Sequence, residues 1–287
     1  MPELPEVEGL VTFLRAETVG AVVAGLEFAS ISLLKTFDPP PSAVAGLTVT
    51  GVERHGKWID LDIDGLHLVF HLSKGGWVRW SEKLATTRLK LGNGPLAMRF
   101  RLDRGDGPHV GFDLTEAGTR KAMAVYLVGD PLEVPAIAAL GPDPLVPGFD
   151  IRPLVEGRRK QIKGLLRDQK VVAGIGNAYS DEILHVARLS PFAISGQLDD
   201  AELERLQQSV VEVLADAVEG ASGRPAAELK DAKRRGMRVH GRTGEACPVC
   251  GDTVREVAFA DSSLQYCPTC QTDGKLLANR STSKFLK

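Results

Sequence analysis

The amino terminus carries the residues with the clearest chemical potential in this chain. The first eight residues read MPELPEVE, so Pro2 follows Met1 directly and two carboxylates, Glu3 and Glu6, lie close by. Once Met1 is removed, the Pro2 nitrogen is a secondary amine, and an ordinary α-amino group has a pKa of only about 7.7–8.0. An unprotonated amine attacks an aldehyde or the anomeric carbon of a sugar, and adjacent acids can move protons. The pattern therefore predicts a Schiff-base site, with an ordinary helix start as the alternative.

The cysteines form a second reactive cluster, near the carboxyl end of the chain. They occur as two Cys-x-x-Cys pairs separated by sixteen residues: Cys247, Cys250, Cys267 and Cys270. Two-residue spacing lets both thiolates of a pair reach one tetrahedral ion, and four cysteines fill every position around zinc. Two disulfides or a redox pair are the alternatives, but disulfides fit poorly inside a cell and a redox motif needs only one pair. We predict one structural Zn2+, with a β-hairpin between the pairs that folds with the metal.

A glycine-containing turn in the middle of the chain is a candidate anion site. Residues 163–177 read KGLLRDQKVVAGIGN, and the pattern predicts one helix over 162–170 and another that is capped near Ser180. Glycines let backbone N–H groups approach an anion, and a helix amino terminus attracts negative charge. The Asn177 side chain can donate to a phosphate oxygen. A plain helix–helix turn is the alternative.

Hydrophobic spacing predicts the elements that carry these residues. Apolar residues in 5–17 recur at helical intervals, whereas residues from about 20 to 128 alternate as strands do, with short Gly- and Asp-rich turns between them. The clearest strands are 47–52, 58–62, 66–72, 97–102 and 124–128. We predict an α+β fold in which an antiparallel β-sandwich with an N-terminal helix precedes a helical domain and a zinc hairpin.

Composition and charge suggest the domain boundaries. Five prolines between residues 130 and 150 indicate a connector. The predicted domains are a β-rich domain (1–130), a linker (131–150), a helical domain (151–243), a finger (244–272) and a tail (273–287). The net charge is −2, but residues 230–242 hold a basic cluster that either contacts phosphate or forms a solvated helix face. With no long apolar run and no signal peptide, we expect a cytoplasmic protein that does not bind membranes.

The octapeptide, the linker sequence LGPDPL, residues 163–177 and the cysteine pairs together resemble the formamidopyrimidine-DNA glycosylase and endonuclease VIII family. The resemblance implies a β-sandwich, a helix–two-turn–helix motif and a zinc finger. It also implies a nucleoid-associated monomer that acts on damaged double-stranded DNA. The implied activities are DNA glycosylase and abasic-site lyase, and the cofactor is one structural zinc.

The resemblance also implies roles for individual residues. Pro2 attacks C1′ of the damaged nucleotide, Glu3 handles protons at the sugar, Glu6 supports Glu3, and Lys57 contacts a phosphate near the lesion. Lys163 and Asn177 match the residues that hold the phosphates flanking the lesion. For Lys57 alone, an exposed lysine at a strand end is the simpler interpretation. His71 also matches the family pattern, but a core histidine is the simpler interpretation.

The chain departs from the family pattern at the positions that face the DNA stack. Lys74 stands where the family has a wedge methionine, and Arg120 lies in a stretch that lacks the family's aromatic wedge. Ser262 replaces an arginine that binds phosphate, and the basic run that includes Arg238 can compensate for the lost charge. Because of these departures, the sequence does not identify which damaged base is removed.

Two other functions fit part of the sequence. A damage-binding zinc protein, with lyase activity only or without catalysis, is favoured by the altered wedge and by Ser262. The intact Pro2, Glu3 and Glu6 argue against it. A zinc-ribbon transcription factor accounts for the cysteines but leaves the first eight residues unexplained.

Overall fold

The computed structural model describes residues 1–92, 94–105, 107–119, 121–260 and 262–278. They divide into two compact units. The first unit contains Met1–Leu140 and Ala221–Lys230, and the second contains Gly141–Gly220 and the described residues from Asp231 onward. The domain boundaries given above remain predictions, and residues 279–287 of the predicted tail lie outside the described residues.

The first helix, α1 (Leu4–Thr18), packs on the β-sandwich of the first unit. Val7, Leu10 and Leu14 repeat at helical spacing and are buried in the same core as the strands. Gly9 lies on α1 where a β-carbon would come 2.9 Å from the Leu229 side chain. Glycine at this position therefore allows the segment after residue 220 to pack closely on α1.

Two four-stranded antiparallel sheets build the sandwich. The strands are β1 (Val22–Phe28), β2 (Val49–His55), β3 (Trp58–Ile63), β4 (Leu66–His71), β5 (Gly76–Ser81), β6 (Leu96–Asp103), β7 (Val110–Glu116) and β8 (Ala124–Val128). One sheet has the order β1-β6-β7-β5 and the other has the order β2-β3-β4-β8. Alternate residues of both sheets, such as Phe100 and Phe70, enter one shared core. The α+β prediction is thus confirmed, including the helix that covers part of the sandwich.

The second unit is mainly helical. Its helices are α3 (Arg152–Val155), α4 (Ile162–Leu166), α5 (Asn177–Val186) and α8 (Pro268–Gln271), after the short α2 (Pro135–Ala138) of the first unit. Two further helices, α6 (Asp200–Ala221) and α7 (Leu229–Gly236), run from one unit into the other. The hairpin of β9 (Arg255–Ala258) and β10 (Ser263–Tyr266) joins the two cysteine pairs. Among the described residues, no helix is long and apolar enough to cross a membrane.

The helices around the glycine turn differ from the prediction in their ends. The predicted helix over 162–170 ends at Leu166, because Asp168 starts a turn instead. Its carbonyl accepts the Val171 N–H and its carboxylate accepts the Lys170 N–H. Short acidic side chains often divert the backbone in this way. The next helix begins at Asn177, three residues before the predicted cap.

Candidate functional site

The start of α1 places both amino-terminal carboxylates in one hydrogen-bonded turn. Glu3 is the extended N-cap residue and forms a capping box with Glu6. The Glu3 N–H donates to Glu6 Oε2 over 2.9 Å, and both side chains are almost completely buried. Pro2 is buried directly before this turn. The helix start therefore fixes two acids beside the residue whose nitrogen becomes an amine when Met1 leaves.

The β2–β3 turn, which carries Lys57, is tied to the same helix. Arg54 Nε donates to Glu8 Oε2 on α1 over 2.6 Å, and Arg54 Nη1 donates to the Gly56 carbonyl over 3.2 Å. Gly56 has φ +59°, a conformation that glycine adopts without strain. Lys57 is only 7 % exposed, so the interpretation as an exposed strand-end lysine is wrong. Arg54 and Glu8, to which the sequence analysis gave no role, set the position of this turn against α1.

The loop after β4 presents Lys74 at the surface. Ser73 has φ +52°, and its N–H donates to His71 Nδ1 over 3.1 Å. The neighbouring loop after β7 is joined to it, because the Ala117 N–H donates to the Gly75 carbonyl over 3.0 Å. Arg120, the other candidate wedge residue, lies outside the described residues.

In the second unit, Lys163 is held inside the protein. Its Nζ lies 3.0 Å from the Asn177 carbonyl, 2.7 Å from Ser180 Oγ and 2.6 Å from Asp181 Oδ1. An ammonium group has three hydrogens, and these three acceptors match them. The contact fastens α4 to the first turn of α5, where Asn177 is the first residue.

Asn177 also reaches the finger hairpin. Its Nδ2 donates to the Ser263 carbonyl over 2.8 Å, and the preceding Ser262 is partly exposed in the hairpin turn. The Ser262 carbonyl closes that turn by accepting the Phe259 N–H. The second unit therefore brings Lys163, Asn177 and Ser262 into one neighbourhood.

Two adjacent buried acids of α5, which the sequence analysis left without a role, organise the segment before the finger. Asp181 Oδ2 lies 2.7 Å from His240 Nδ1. The Glu182 carboxylate accepts the backbone N–H groups of Arg238, Val239 and His240. Burial raises the pKa of Glu182, and the three backbone donors oppose that shift. The Arg238 side chain stays exposed, so its backbone is fixed while its charge faces solvent.

Part of the basic cluster contacts aromatic rings of its own unit. Lys230 Nζ lies 4.3 Å from the centre of the Trp77 ring in the first unit. Lys233 Nζ lies 4.7 Å from the centre of the Tyr179 ring in the second. Both distances are within the range of cation–π attraction. The basic run is therefore partly engaged inside each unit.

The four cysteines have the geometry of a closed metal site. Their sulfur atoms all lie within 4.8 Å of one another, with Cys250 and Cys267 at 3.4 Å and Cys247 and Cys270 at 3.9 Å. Zinc–sulfur bonds of about 2.3 Å at tetrahedral angles place sulfur atoms about 3.8 Å apart. Burial raises the pKa of Cys267 to about 11, so a cation is needed to keep this thiolate ionised at neutral pH.

His185 of α5 supports the metal centre from outside. Its Nε2 lies 3.3 Å from Cys247 Sγ. Burial lowers the pKa of His185 to about 4, and the nearby positive charges of Arg238 and Arg188 lower it further. The ring is therefore neutral at pH 7, and its Nε2–H can donate to the thiolate. Such contacts orient metal ligands.

Comparisons with known proteins cover nearly the whole chain. Residues 1–120 match the formamidopyrimidine-DNA glycosylase N-terminal domain, residues 140–227 match the H2TH domain of the same enzyme, and residues 244–272 match the zinc finger found in FPG and IleRS. The formamidopyrimidine-DNA glycosylase of Symbiobacterium thermophilum is 34 % identical over 293 residues, covering 94 % of this chain and 89 % of that protein. The chain belongs to the formamidopyrimidine-DNA glycosylase family.

Two further family members extend the comparison. An uncharacterized formamidopyrimidine-DNA glycosylase-like protein of Mycobacterium tuberculosis is 59 % identical over 154 residues, covering 53 % of this chain and 98 % of that protein. The Lactococcus lactis enzyme, in a crystal structure with DNA containing an AP site, is 26 % identical with a TM-score of 0.80. That likeness covers 94 % of this chain and 99 % of the Lactococcus chain.

Family membership confirms the resemblance seen in the sequence, and the finger match together with the cysteine geometry confirms one structural zinc. The residues of the cluster fit the metal, which would cross-link the two ends of the β9–β10 hairpin. The roles given to individual residues in DNA binding and catalysis remain predictions.

Proposed function

We propose that this chain is a base-excision repair enzyme, both a DNA glycosylase and an abasic-site lyase, that acts on damaged double-stranded DNA. The observation that carries the proposal is the turn in which buried Glu3 and Glu6 bracket the start of α1 immediately after Pro2. A structural helix start needs neither a preceding amine nor two buried acids. We place the enzyme with the chromosome, in the cytoplasm and at the nucleoid.

The proposed reaction begins with attack of the Pro2 nitrogen on C1′ of the damaged nucleotide. The N–C1′ bond forms as the bond from C1′ to the base breaks, and the proton that the Pro2 nitrogen loses leaves with the base. Glu3 protonates the sugar oxygen as the ring opens, which leaves an iminium ion at C1′. The iminium acidifies C2′–H, so loss of that proton expels the 3′ phosphate; a second elimination can release the 5′ phosphate. Water then hydrolyses the iminium and frees the Pro2 amine, so the reaction balances without a redox cofactor.

The remaining candidate residues act on the DNA backbone in this proposal. Lys57 contacts a phosphate near the lesion from a turn that Arg54 fixes to α1. Asn177, Ser262 and Arg238 contact the flanking phosphates. Because its three hydrogens are used within the protein, Lys163 supports the phosphates through Asn177 and the start of α5. Lys74 and Arg120 fill the space that the flipped nucleotide vacates.

The test is a panel of duplexes and single strands that carry an abasic site, an oxidised purine, an oxidised pyrimidine or no lesion. Base release is scored by chromatography and strand cleavage by gel, with zinc-loaded protein. We expect Glu3→Gln to slow strand cleavage at least about 100-fold, since it removes the donor that protonates the sugar oxygen before elimination. Glu17→Gln, which makes the same change in the last turn of α1, serves as the matched control.

A second candidate function is damage binding without catalysis. It is favoured by the uncharged Ser262 and by the pairing of Lys163 with Asp181 within the protein. Both leave fewer positive charges to bind phosphate in a tight catalytic complex. Selective binding of the abasic duplex, with neither base release nor cleavage on any substrate of the panel, would establish this function and exclude the enzyme.

A further inference from the structure

We propose that His71 is a positioning residue for the loop that presents Lys74, because its Nδ1 accepts the Ser73 N–H and so holds the backbone turn before the lysine. Only the consequence for DNA binding rests on the function proposed above. From the sequence alone, a core histidine was the simpler interpretation of His71.

The turn needs such support because of its backbone conformation. Ser73 has φ +52°, in the left-handed region that side chains other than those of Gly, Asn and Asp rarely adopt. The hydrogen bond from Ser73 N to His71 Nδ1 is 3.1 Å long and spans two residues, so it closes directly around this strained position. Loss of the acceptor would let Ser73 relax to an extended conformation and would redirect Lys74.

The ring is held so that Nδ1 stays an acceptor. His71 pairs across the sheet with Trp58 on β3 and Ala124 on β8, and its ring centre lies 4.9 Å from that of Trp58. Neither neighbour titrates, and the charged group acting on His71 is Lys57 of the β2–β3 turn. Burial, and then the positive charge of Lys57, lower the pKa of His71 to about 4. The neutral ring therefore carries its proton on Nε2 and leaves the Nδ1 lone pair free for Ser73.

The other side of the loop is fastened independently. The Gly76 N–H donates to the Leu72 carbonyl over 2.8 Å, and the Gly75 carbonyl accepts the Ala117 N–H. A β-carbon on Gly75 would lie 2.6 Å from the Ala117 carbonyl oxygen, so the two loops are in close backbone contact. Lys74 is thus an exposed cation between two anchored points, and His71 provides the anchor on its amino-terminal side. Ordering the lysine in advance lowers the entropy cost of its contact with DNA.

Two substitutions of similar size separate this role from simple packing. In His71→Asn the side-chain oxygen can occupy the place of Nδ1 and accept the Ser73 N–H. In His71→Gln the oxygen falls near the place of Nε2, and the acceptor is lost. Ser73→Gly, which retains the N–H and suits the positive φ, is the matched control in the loop itself.

The first measurement needs no DNA: the rate at which lysyl endopeptidase cuts after Lys74 in the full-length, zinc-loaded protein. Loss of one hydrogen bond corresponds to about a fivefold change in the open population. We expect about fivefold faster cleavage in His71→Gln, and less than twofold in His71→Asn and Ser73→Gly. Equal rates in the Asn and Gln variants would overturn the proposal.

A second measurement uses only wild-type protein, so it still tests the proposal if a variant fails to fold. Nitrogen-15 NMR of the His71 ring should show Nε2–H and an unprotonated, hydrogen-bonded Nδ1 between pH 5.5 and 7.5. A proton on Nδ1 in that range would contradict the proposal.

A third measurement tests the effect of His71 on DNA binding. Affinity for an abasic duplex should fall about fivefold in His71→Gln and less than twofold in His71→Asn, while saturating concentrations of either variant still give a borohydride-trapped adduct. If wild type traps no adduct, the proposed function fails, whereas the protease and NMR results still decide the role of His71.

Discussion

At the scale of single residues, we propose that the amino-terminal acids serve structure and chemistry together. Glu6 accepts the Glu3 N–H to begin α1, and the same capping box holds Glu3 next to Pro2. A carboxylate that is already hydrogen-bonded in the folded state needs little reorganisation when the reaction requires it. The proposed double use would account for the burial of both acids at the start of α1.

Substitution of Glu6 separates these two uses. Glu6→Ala removes the capping acceptor, so we expect the free energy of unfolding to fall by about 1 kcal/mol and strand cleavage to slow. Glu6→Gln retains an oxygen for the Glu3 N–H, so stability should stay near that of wild type, while strand cleavage should still slow because the carboxylate that supports Glu3 is lost. Denaturant unfolding and single-turnover rates measure the two effects. Equal stability of the Ala and Gln variants would refute a capping role.

His71 should also give the first unit a pH-dependent stability. Its pKa is about 4 in the folded chain, below the ordinary value of 6.5, so the unfolded chain takes up the proton first as the pH falls. The free energy of unfolding should therefore lose up to about 3 kcal/mol between about pH 6.5 and pH 4, and keep its full value above that window.

The measurement is denaturant unfolding, followed by tryptophan fluorescence, for wild type and His71→Asn across this pH range. All three tryptophans (Trp58, Trp77 and Trp80) lie in the first unit, so the signal reports that unit. The difference between the two proteins isolates His71 from the other groups that titrate. Parallel curves would show that His71 is not the source of the pH dependence.

At the scale of elements, the contact between α1 and the β2–β3 turn sets the position of Lys57. Arg54→Lys keeps a positive charge near Glu8 but cannot also reach the Gly56 carbonyl with a second planar donor. We expect cleavage of abasic duplex to fall about tenfold in Arg54→Lys. Lys83→Ala, an exposed change in the same unit, is the control. Gel assays at saturating DNA provide the rates. A wild-type rate of cleavage in Arg54→Lys would show that this contact does not position Lys57 for the reaction.

Elements with strong local periodicity could be predicted from the sequence. The strands expected at 58–62 and 66–72 are found at Trp58–Ile63 and Leu66–His71, because alternation follows directly from which face of a strand is buried. The helix over 162–170 was predicted too long, since the turn at Asp168 depends on one side chain whose local bond outcompetes helical propensity.

From spacing alone, contacts within the candidate site could be predicted only where its residues are close in sequence. Glu3 and Glu6, and the cysteines within each pair, are three residues apart, so spacing alone places them together. Contacts that depend on folding gave no signal in the sequence. Arg54 meets Glu8 across 46 residues, and His185 meets Cys247 across 62. The resemblance predicts that Lys163 holds a phosphate, and its buried partner Asp181 could be recognised only from the structure.

At the scale of the whole molecule, a chain with net charge −2 must bind DNA through local groups. We propose that the finger is one of them. Its core joins Cys247 and Cys267 to Val239 and Val254, all within the second unit. Loss of zinc should therefore unfold the finger and leave the β-sandwich of the first unit intact.

Cys267→Ser tests this separation. We expect loss of bound zinc, at least about tenfold weaker binding of abasic duplex because phosphate contacts are lost, and an unchanged tryptophan unfolding curve. Val249→Ser, at an exposed position between the first two cysteines, is the matched control. Elemental analysis, equilibrium binding and fluorescence supply the three readings. Unchanged affinity in the metal-free variant would show that the finger does not contact DNA.

The proposed function depends on the Pro2 nitrogen forming the covalent intermediate, and borohydride trapping on abasic duplex is the decisive experiment. Borohydride reduces the iminium to a stable amine, and mass spectrometry of the tryptic digest then locates the adduct. We expect it on the peptide from Pro2 to Arg15, and we expect none when one residue is left ahead of Pro2. An adduct on a lysine peptide, or none with zinc-loaded protein that lacks Met1, would contradict the account.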